Sequence, residues 1–276
     1  MSPKKQSIWT NKTLLILNSG AERRRLVFET ASKLGLPVVV LNDRSNWSAR
    51  LAEDLIVTDN YNHPKVLNLL RDYTTKHKVQ GVVTFEEEDV ELAAKVAQQF
   101  NLIGNTLKTA RLVRDKYAQR QKLAEFQVPE PQFSLITNTA ELNQAIKQIG
   151  FPAVIKPVGG TNGFFVVKVN NEDEAKEVFE YVRKNATPKF DPIFNYNEYQ
   201  FLFESYLAGP EVSVEAVTQN GQTNIVAVVD KHTTHDPYFI DGSDSLPSKF
   251  DDSVIEKIER VVLATHRAVE FMNGVS

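Results

Sequence analysis

The chain has 276 residues, 24% of them charged, a formal net charge of −3 and no cysteine. A mildly acidic chain lacks the basic excess that nucleic-acid phosphates demand, and without thiols there is neither a disulfide framework nor a thiolate metal site. The length suits about two domains, and the apolar run Leu14–Leu17 behind Lys4 and Lys5 is too brief for a signal segment or membrane span, so a soluble cytoplasmic protein is expected.

The first hundred residues alternate two patterns. Thr13–Leu17, Pro37–Leu41, Leu55–Thr58 and Gly81–Phe85 are short, apolar and rich in β-branched residues, as buried parallel strands are. Between them, Glu22–Leu34 has helical spacing and ends at Gly35, and Val66–His77 is a second amphipathic helix. Thr84 and Glu87 stand at capping-box spacing before a helix that runs to about Phe100. This rhythm predicts a Rossmann-like parallel sheet, whose ligands sit at the carboxyl ends of the strands. Two charged runs fall at such ends. Glu22 to Arg25, after Ser19-Gly20, suits a solvated basic face or an anion, and Glu86–Asp89 suits a helix dipole or a substrate amino group. No Gly-x-Gly-x-x-Gly follows Leu17, which argues against a dinucleotide-dependent reductase.

The rhythm changes near residue 105. Leu107–Phe126 reads as one long helical region, closed by Val128-Pro-Glu-Pro. Asn138, with Glu141 behind it, caps a helix to Gly150. Ala153–Lys156 is a buried strand, Pro157–Gly163 a glycine-rich loop and Phe164–Val169 the return strand; Asn171 caps a helix to about Asn185. After a proline-containing loop over Thr187–Asn197, three antiparallel strands are expected at Tyr199–Tyr206, Glu211–Gln219 and Thr223–Lys231, the last two joined by the hairpin signal Asn220-Gly221. Thr233–Phe250 reads as a polar loop, and Ser253–Met272 as an amphipathic helix ended by Asn273-Gly274. His232 and His235 invite a metal reading, but strand alternation sends them to opposite faces and favours a solvated loop.

The loop after Lys156 carries the chemistry. A lysine at the end of a rigid strand delivers a point charge to an anion, and glycines let backbone N–H groups turn toward it. No Gly-Lys-Ser/Thr follows, so this is not a Walker A loop. Taken alone, a hairpin whose glycines merely allow the turn reads equally well. The order of motifs along the chain decides between them: Asp115-Lys116, Val128-Pro-Glu-Pro, Ile155-Lys-Pro before the glycines, and Glu204-Ser-Tyr-Leu-Ala-Gly-Pro-Glu211. In that order they resemble the ATP-grasp superfamily, in particular its carboxylate–amine ligases of the L-amino-acid-ligase and biotin-carboxylase-like kind.

The resemblance implies an α/β chain in three parts: a Rossmann-like domain over 1–106, a linker helix and small lid subdomain over 107–198, and a large subdomain over 199–276. It implies that Lys116 and Lys156 contact nucleotide phosphates under a loop of Gly159, Gly160, Thr161, Asn162 and Gly163. Asn162 and Phe164 depart from the serine and the small β-branched residue common there. Glu204, Ser205, Tyr206 and Leu207 match the linker that meets adenine; adenine needs an apolar slot, which Ile155, Phe203, Tyr206 and Leu207 can supply. Glu211 matches the ribose carboxylate, and Lys231 faces the reacting centre. The implied cofactors are ATP and Mg2+. The implied reaction joins a small carboxylate to an amine, or to a thiol, through an acyl phosphate. The family's metal-binding carboxylates lie on strands after the helix assigned here to Ser253–Met272. The resemblance therefore implies a fragment that binds nucleotide weakly without turning over, with no nucleic-acid or membrane partner and a homodimer left open. A non-catalytic ATP-binding regulator or scaffold of the same fold is the alternative.

Overall fold

A computed structural model describes residue 9 and residues 12–196, 199–234 and 237–276. Lys4, Lys5, Asn197, His235 and Asp236 lie outside the described residues, and with them part of the N-terminal reading and half of the paired-histidine reading. The chain divides into two compact units, the first ending at Ala110 and the second running over Arg111–Ser276.

In the first unit, strands β1 (Thr13–Leu17), β2 (Val38–Asn42), β3 (Asp54–Val57) and β4 (Val79–Thr84) form a parallel sheet in the order β3-β2-β1-β4. Helices α1 (Arg25–Leu34), α2 (His63–His77) and α3 (Val90–Phe100) cover it. Alternation along β1 explains the layering. Leu15 and Leu17 face Val66 and Leu70 of α2 and Leu92 and Val96 of α3, whereas Ile16 faces Phe28 and Ala31 of α1. Both faces are therefore buried, as parallel strands require. Gly35 closes α1 in the left-handed conformation at φ 67°, as expected. The capping box at Thr84 does not form: the Thr84 hydroxyl accepts from the Glu86 amide, and a short 3-10 turn over Glu87–Asp89 precedes α3.

The expected single helix over Leu107–Phe126 is two. Helix α4 (Leu107–Arg114) ends where Asp115 turns extended, and Asp115 caps α5 (Lys116–Glu125) by accepting from the Ala118 amide at 2.9 Å. The aspartate competes for backbone donors and so breaks a run whose apolar spacing alone reads as continuous.

The second unit contains β5 (Phe133–Ile136), α6 (Thr139–Ile149), β6 (Ala153–Pro157), β7 (Val167–Val169), α7 (Glu172–Asn185), β8 (Phe201–Ser205), β9 (Glu211–Gln219), β10 (Gln222–Thr233), β11 (Asp241–Ser245), α8 (Asp252–Ala268) and β12 (Asn273–Val275). They build two sheets, ordered β5-β8-β6-β7 and β11-β10-β9-β12. Asn138 and Asn171 cap α6 and α7 as expected, through the Glu141 and Glu174 amides. The β9–β10 turn has Asn220 and Gly221 both at positive φ, the conformation that Asn-Gly hairpins favour.

Three boundaries differ from expectation. The return strand starts at Val167, because Phe164 and Phe165 turn inward against the core instead of continuing the ladder. The polar loop after β10 contains β11, whose exposed Asp-Gly-Ser-Asp-Ser sequence carries no apolar alternation to reveal it. Helix α8 stops at Ala268, and Asn273–Val275 pairs with β9. There the hairpin holds the chain: Asn273 Oδ1 accepts from the Asn220 amide, and the Met272 carbonyl accepts from the Gly221 amide.

Candidate functional site

The register of β5-β8-β6-β7 sorts its side chains. Ile155 lies opposite both Phe203 and Val167, and all three are buried in the core with Phe179 of α7. Ile155 and Phe203 therefore do not wall an adenine slot as expected; they point to the wrong face. On the other face, Val154 lies opposite Glu204 and Lys168, and Phe133 opposite Glu204. Lys156 emerges on this face two residues further along β6, opposite Leu202.

Three charges meet there. Glu204, 4% exposed, lies 2.5 Å from Lys156 Nζ and 2.7 Å from Arg120 Nε. Burial pushes the Glu204 carboxyl up, but Lys156 and Arg120 outweigh it and hold the group below its ordinary value. Lys156 goes the other way: burial and the neighbouring Arg120 depress its ammonium by more than Glu204 restores. The two cations and Glu204 thus form a largely buried charged group at the end of β6. Glu130, on the extended exit after α5, adds a carboxyl raised by burial and further raised by Glu204, against the pull of Arg120.

Asp115 sets the position of the next cation. Capping starts α5 at Lys116, whose amide donates to the Val158 carbonyl at 3.1 Å and whose Nζ donates to the Gly160 carbonyl at 3.0 Å. Lys116 thus reaches the glycine loop directly, and Arg120, one helical turn later, reaches Glu204. Within the loop Gly159 and Gly160 are buried, while Asn162 and Gly163 are exposed and adopt φ of 53° and 68°. The loop's far end is packed. Phe165 lies 4.8 Å from the Phe190 ring and 5.6 Å from Phe194, and Phe164 lies 5.3 Å from Phe190.

The linker after β8 is partly occupied by its own chain. The Ser205 amide donates to the Gln132 carbonyl and its hydroxyl accepts from the Gln132 amide, while the Tyr206 amide donates to the Pro152 carbonyl. Leu207 is exposed. Lys231 and Glu211 are register partners across β9–β10, 2.6 Å apart, and Asp241 of β11 lies 3.0 Å from the same ammonium. Burial opposes the charge on Lys231, but its two carboxylate partners hold its pKa above the ordinary lysine value. It is a fixed cation rather than a proton acceptor. His232 bonds Ser245. Among the described residues, no group of three or more His, Asp or Glu stands close enough to hold a metal ion.

Arg120 and Lys168 were not singled out from the sequence. Signals existed for both: Arg120 is four residues after Lys116 on one helix face, and Lys168 alternates with two buried valines.

The first unit has its own polar cluster, at the strand ends beside the β1–β4 switch point, where such sheets bind ligands. Asp89 is 2% exposed and accepts from Asn18 Nδ2 at 2.9 Å and Asn60 Nδ2 at 3.2 Å. Burial pushes its carboxyl up to about 6. The buried Asn60 Oδ1 and Thr58 Oγ1 have no hydrogen-bond partner. The expected basic run is absorbed locally: Arg24 donates to the Phe85 carbonyl and pairs with Glu86, and Arg25 bonds Glu22 and Glu29.

The second unit thus pairs two antiparallel sheets, with Lys156 near the end of β6 and Lys116 bonded to the glycine loop. Residues 149–276 match the ATP-grasp domain and residues 28–103 the ATP-grasp N-terminal domain, and the chain belongs to the ATP-grasp family. It is 27% identical over 168 residues to N5-carboxyaminoimidazole ribonucleotide synthase of Staphylococcus epidermidis, a match covering 60% of this chain and 43% of that protein. The L-amino acid ligase of Bacillus licheniformis superposes with a TM-score of 0.79 at 22% identity, covering 96% of this chain and 61% of the ligase. N5-carboxyaminoimidazole synthetase of Staphylococcus aureus, solved with ADP, gives 0.74 at 19% identity, covering 95% and 64%. The chain thus spans less than two thirds of the length of these relatives.

Proposed function

We propose that this chain binds ATP on the Lys156 face of its second unit and serves an ATP-dependent ligase that joins a carboxylate to an amine. The observation that carries this reading is the Arg120–Glu204–Lys156 group together with Lys116, which bonds the glycine loop. Lys116, Lys156 and Arg120 hold the phosphates, the amides of Thr161 to Gly163 close over them, and Glu204–Leu207 reads the nucleobase. Glu211 takes the ribose hydroxyls. Lys231, locked as an ammonium, contributes charge near the reacting groups. In the reaction a substrate carboxylate oxygen attacks the γ-phosphorus, ADP leaves, and the amine displaces phosphate from the acyl phosphate. Positioning, charge stabilisation and exclusion of water by the loop supply the catalysis. In the first unit, the Asp89 cluster takes the amino group of a substrate. Within this reading residues 1–106, 107–198 and 199–276 act as substrate domain, lid and large subdomain of a cytoplasmic enzyme.

Mg2+ supplies charge neutralisation in such phosphoryl chemistry. Among the described residues no group of three or more His, Asp or Glu gathers to hold it, and no step above depends on it.

Thermal melts with and without ATP test the proposal. Lys156→Ala is expected to abolish the ATP-induced rise in melting temperature, and an unchanged rise would sink the assignment. Release of ADP on mixing with candidate acids and amines separates the ligase from the non-catalytic binder.

A further inference from the structure

Strand β7 is an edge strand, and its middle residue is charged. Because Val167 and Val169 point into the core, Lys168 emerges on the face that carries Val154 and Glu204. Its ammonium lies 4.3 Å from the centroid of the Tyr206 ring. That ring also stacks with Phe239, centroids 5.7 Å apart and planes 24° from parallel. Backbone bonds fasten the same group: the Lys168 amide donates to the Pro237 carbonyl at 3.1 Å, and the Tyr206 amide to Pro152 at 3.0 Å. Three chain segments thus converge on one half-exposed tyrosine in a linker that has no regular secondary structure of its own.

We propose that Lys168 is a positioning residue for the nucleobase end of the site. By holding the Tyr206 ring against Phe239, it fixes the backbone of Glu204–Leu207 before ligand arrives. The inference rests on the nucleotide reading above, and concerns the base rather than the phosphates. A cation over an aromatic face contributes about 0.5–2 kcal/mol depending on exposure, and fixing a segment in its bound form strengthens binding by sparing the ordering cost. At about 1.4 kcal/mol per factor of ten, loss of the contact weakens ATP binding by roughly 2- to 30-fold.

Calorimetric titration of the whole chain with ATP and, separately, with inorganic tripolyphosphate tests this, with melts of the unliganded variants as a control for folding. Lys168→Met is expected to weaken ATP by that factor and leave tripolyphosphate affinity unchanged, and Lys168→Arg to restore ATP binding. Tyr206→Leu should show the same loss, and adding Lys168→Met to it should produce little more, since the two act through one contact. Unchanged ATP affinity in Lys168→Met overturns the inference. So does a parallel loss of tripolyphosphate binding, which would make Lys168 a direct phosphate ligand. If the unmodified chain binds tripolyphosphate but shows no preference for ATP, the nucleotide reading itself falls and this inference with it.

Discussion

Lys156 and Glu204 pair diagonally across the adjacent strands β6 and β8 as an ion pair of 2.5 Å, with side chains only 15% and 5% exposed. The lysine assigned to a phosphate is therefore already engaged by a carboxylate, and that carboxylate also holds Arg120. Under the proposed reading, a phosphate joins an existing network rather than meeting a free cation.

Glu204→Gln removes the carboxylate that pairs both Lys156 and Arg120. Removing one partner of a buried pair costs about 3–5 kcal/mol, most of it from the charge left behind. Urea denaturation is expected to show a loss of that size, with part recovered when Lys156→Met is added. A loss under about 1 kcal/mol, as for a surface pair, would mean that water reaches the group freely.

Asp115→Ala removes the cap that starts α5. The expected cost is about 1 kcal/mol, with Asp115→Asn close to neutral because asparagine caps as well. The cap also places Lys116 beside Val158 and Gly160, so the alanine variant should bind ATP more weakly and the asparagine variant normally. Equal ATP affinity in the two variants would separate the cap from the site.

Phe165 anchors the far end of the glycine loop among Tyr181, Phe190 and Phe194. Truncating a fully buried phenylalanine costs about 3–5 kcal/mol, so the half-buried Phe165→Ala is expected to cost about 2. Amide hydrogen exchange over Thr161–Val166 should accelerate more than exchange in α7. Uniform acceleration would show that the ring serves the core and not the loop.

Asp89 makes the first unit sensitive to pH. Its folded pKa, about 6, lies above the ordinary 3.8. The native state therefore binds the proton more tightly than the unfolded chain. This contribution is fully present below about pH 4, falls as pH rises, and is gone above about pH 6, a span of about 3 kcal/mol. Asp89→Asn should flatten the difference in unfolding free energy between pH 4.5 and 7.5. An identical slope in the variant would place Asp89 in water.

Most elements were legible because they rest on local rules. Asn138 and Asn171 cap through residues three positions on. Asn220-Gly221 turns a hairpin because both residues tolerate positive φ, and β1 alternates Leu15, Ile16 and Leu17 between two covered faces. Legibility failed where a local signal competed with a longer one. Asp115 broke a helix that apolar spacing alone continues, and β11 formed with no apolar pattern because β10 supplies its ladder.

For the site, residue types and their order pointed to a grip on phosphate: Lys116, Lys156 and the glycines between Val158 and Phe164 needed no coordinates to be noticed. Pairing did not follow from them. That Arg120 reaches Glu204, 84 residues away, is decided by the packing of α5 against the sheet; that Lys231 is locked by Glu211 and Asp241, and that Ile155 and Phe203 belong to the core, are decided by strand register. Register fixes which face a side chain takes, and a shift of one residue reverses it. Charge at a position can be read from the chain, but what neutralises it depends on which strands lie side by side.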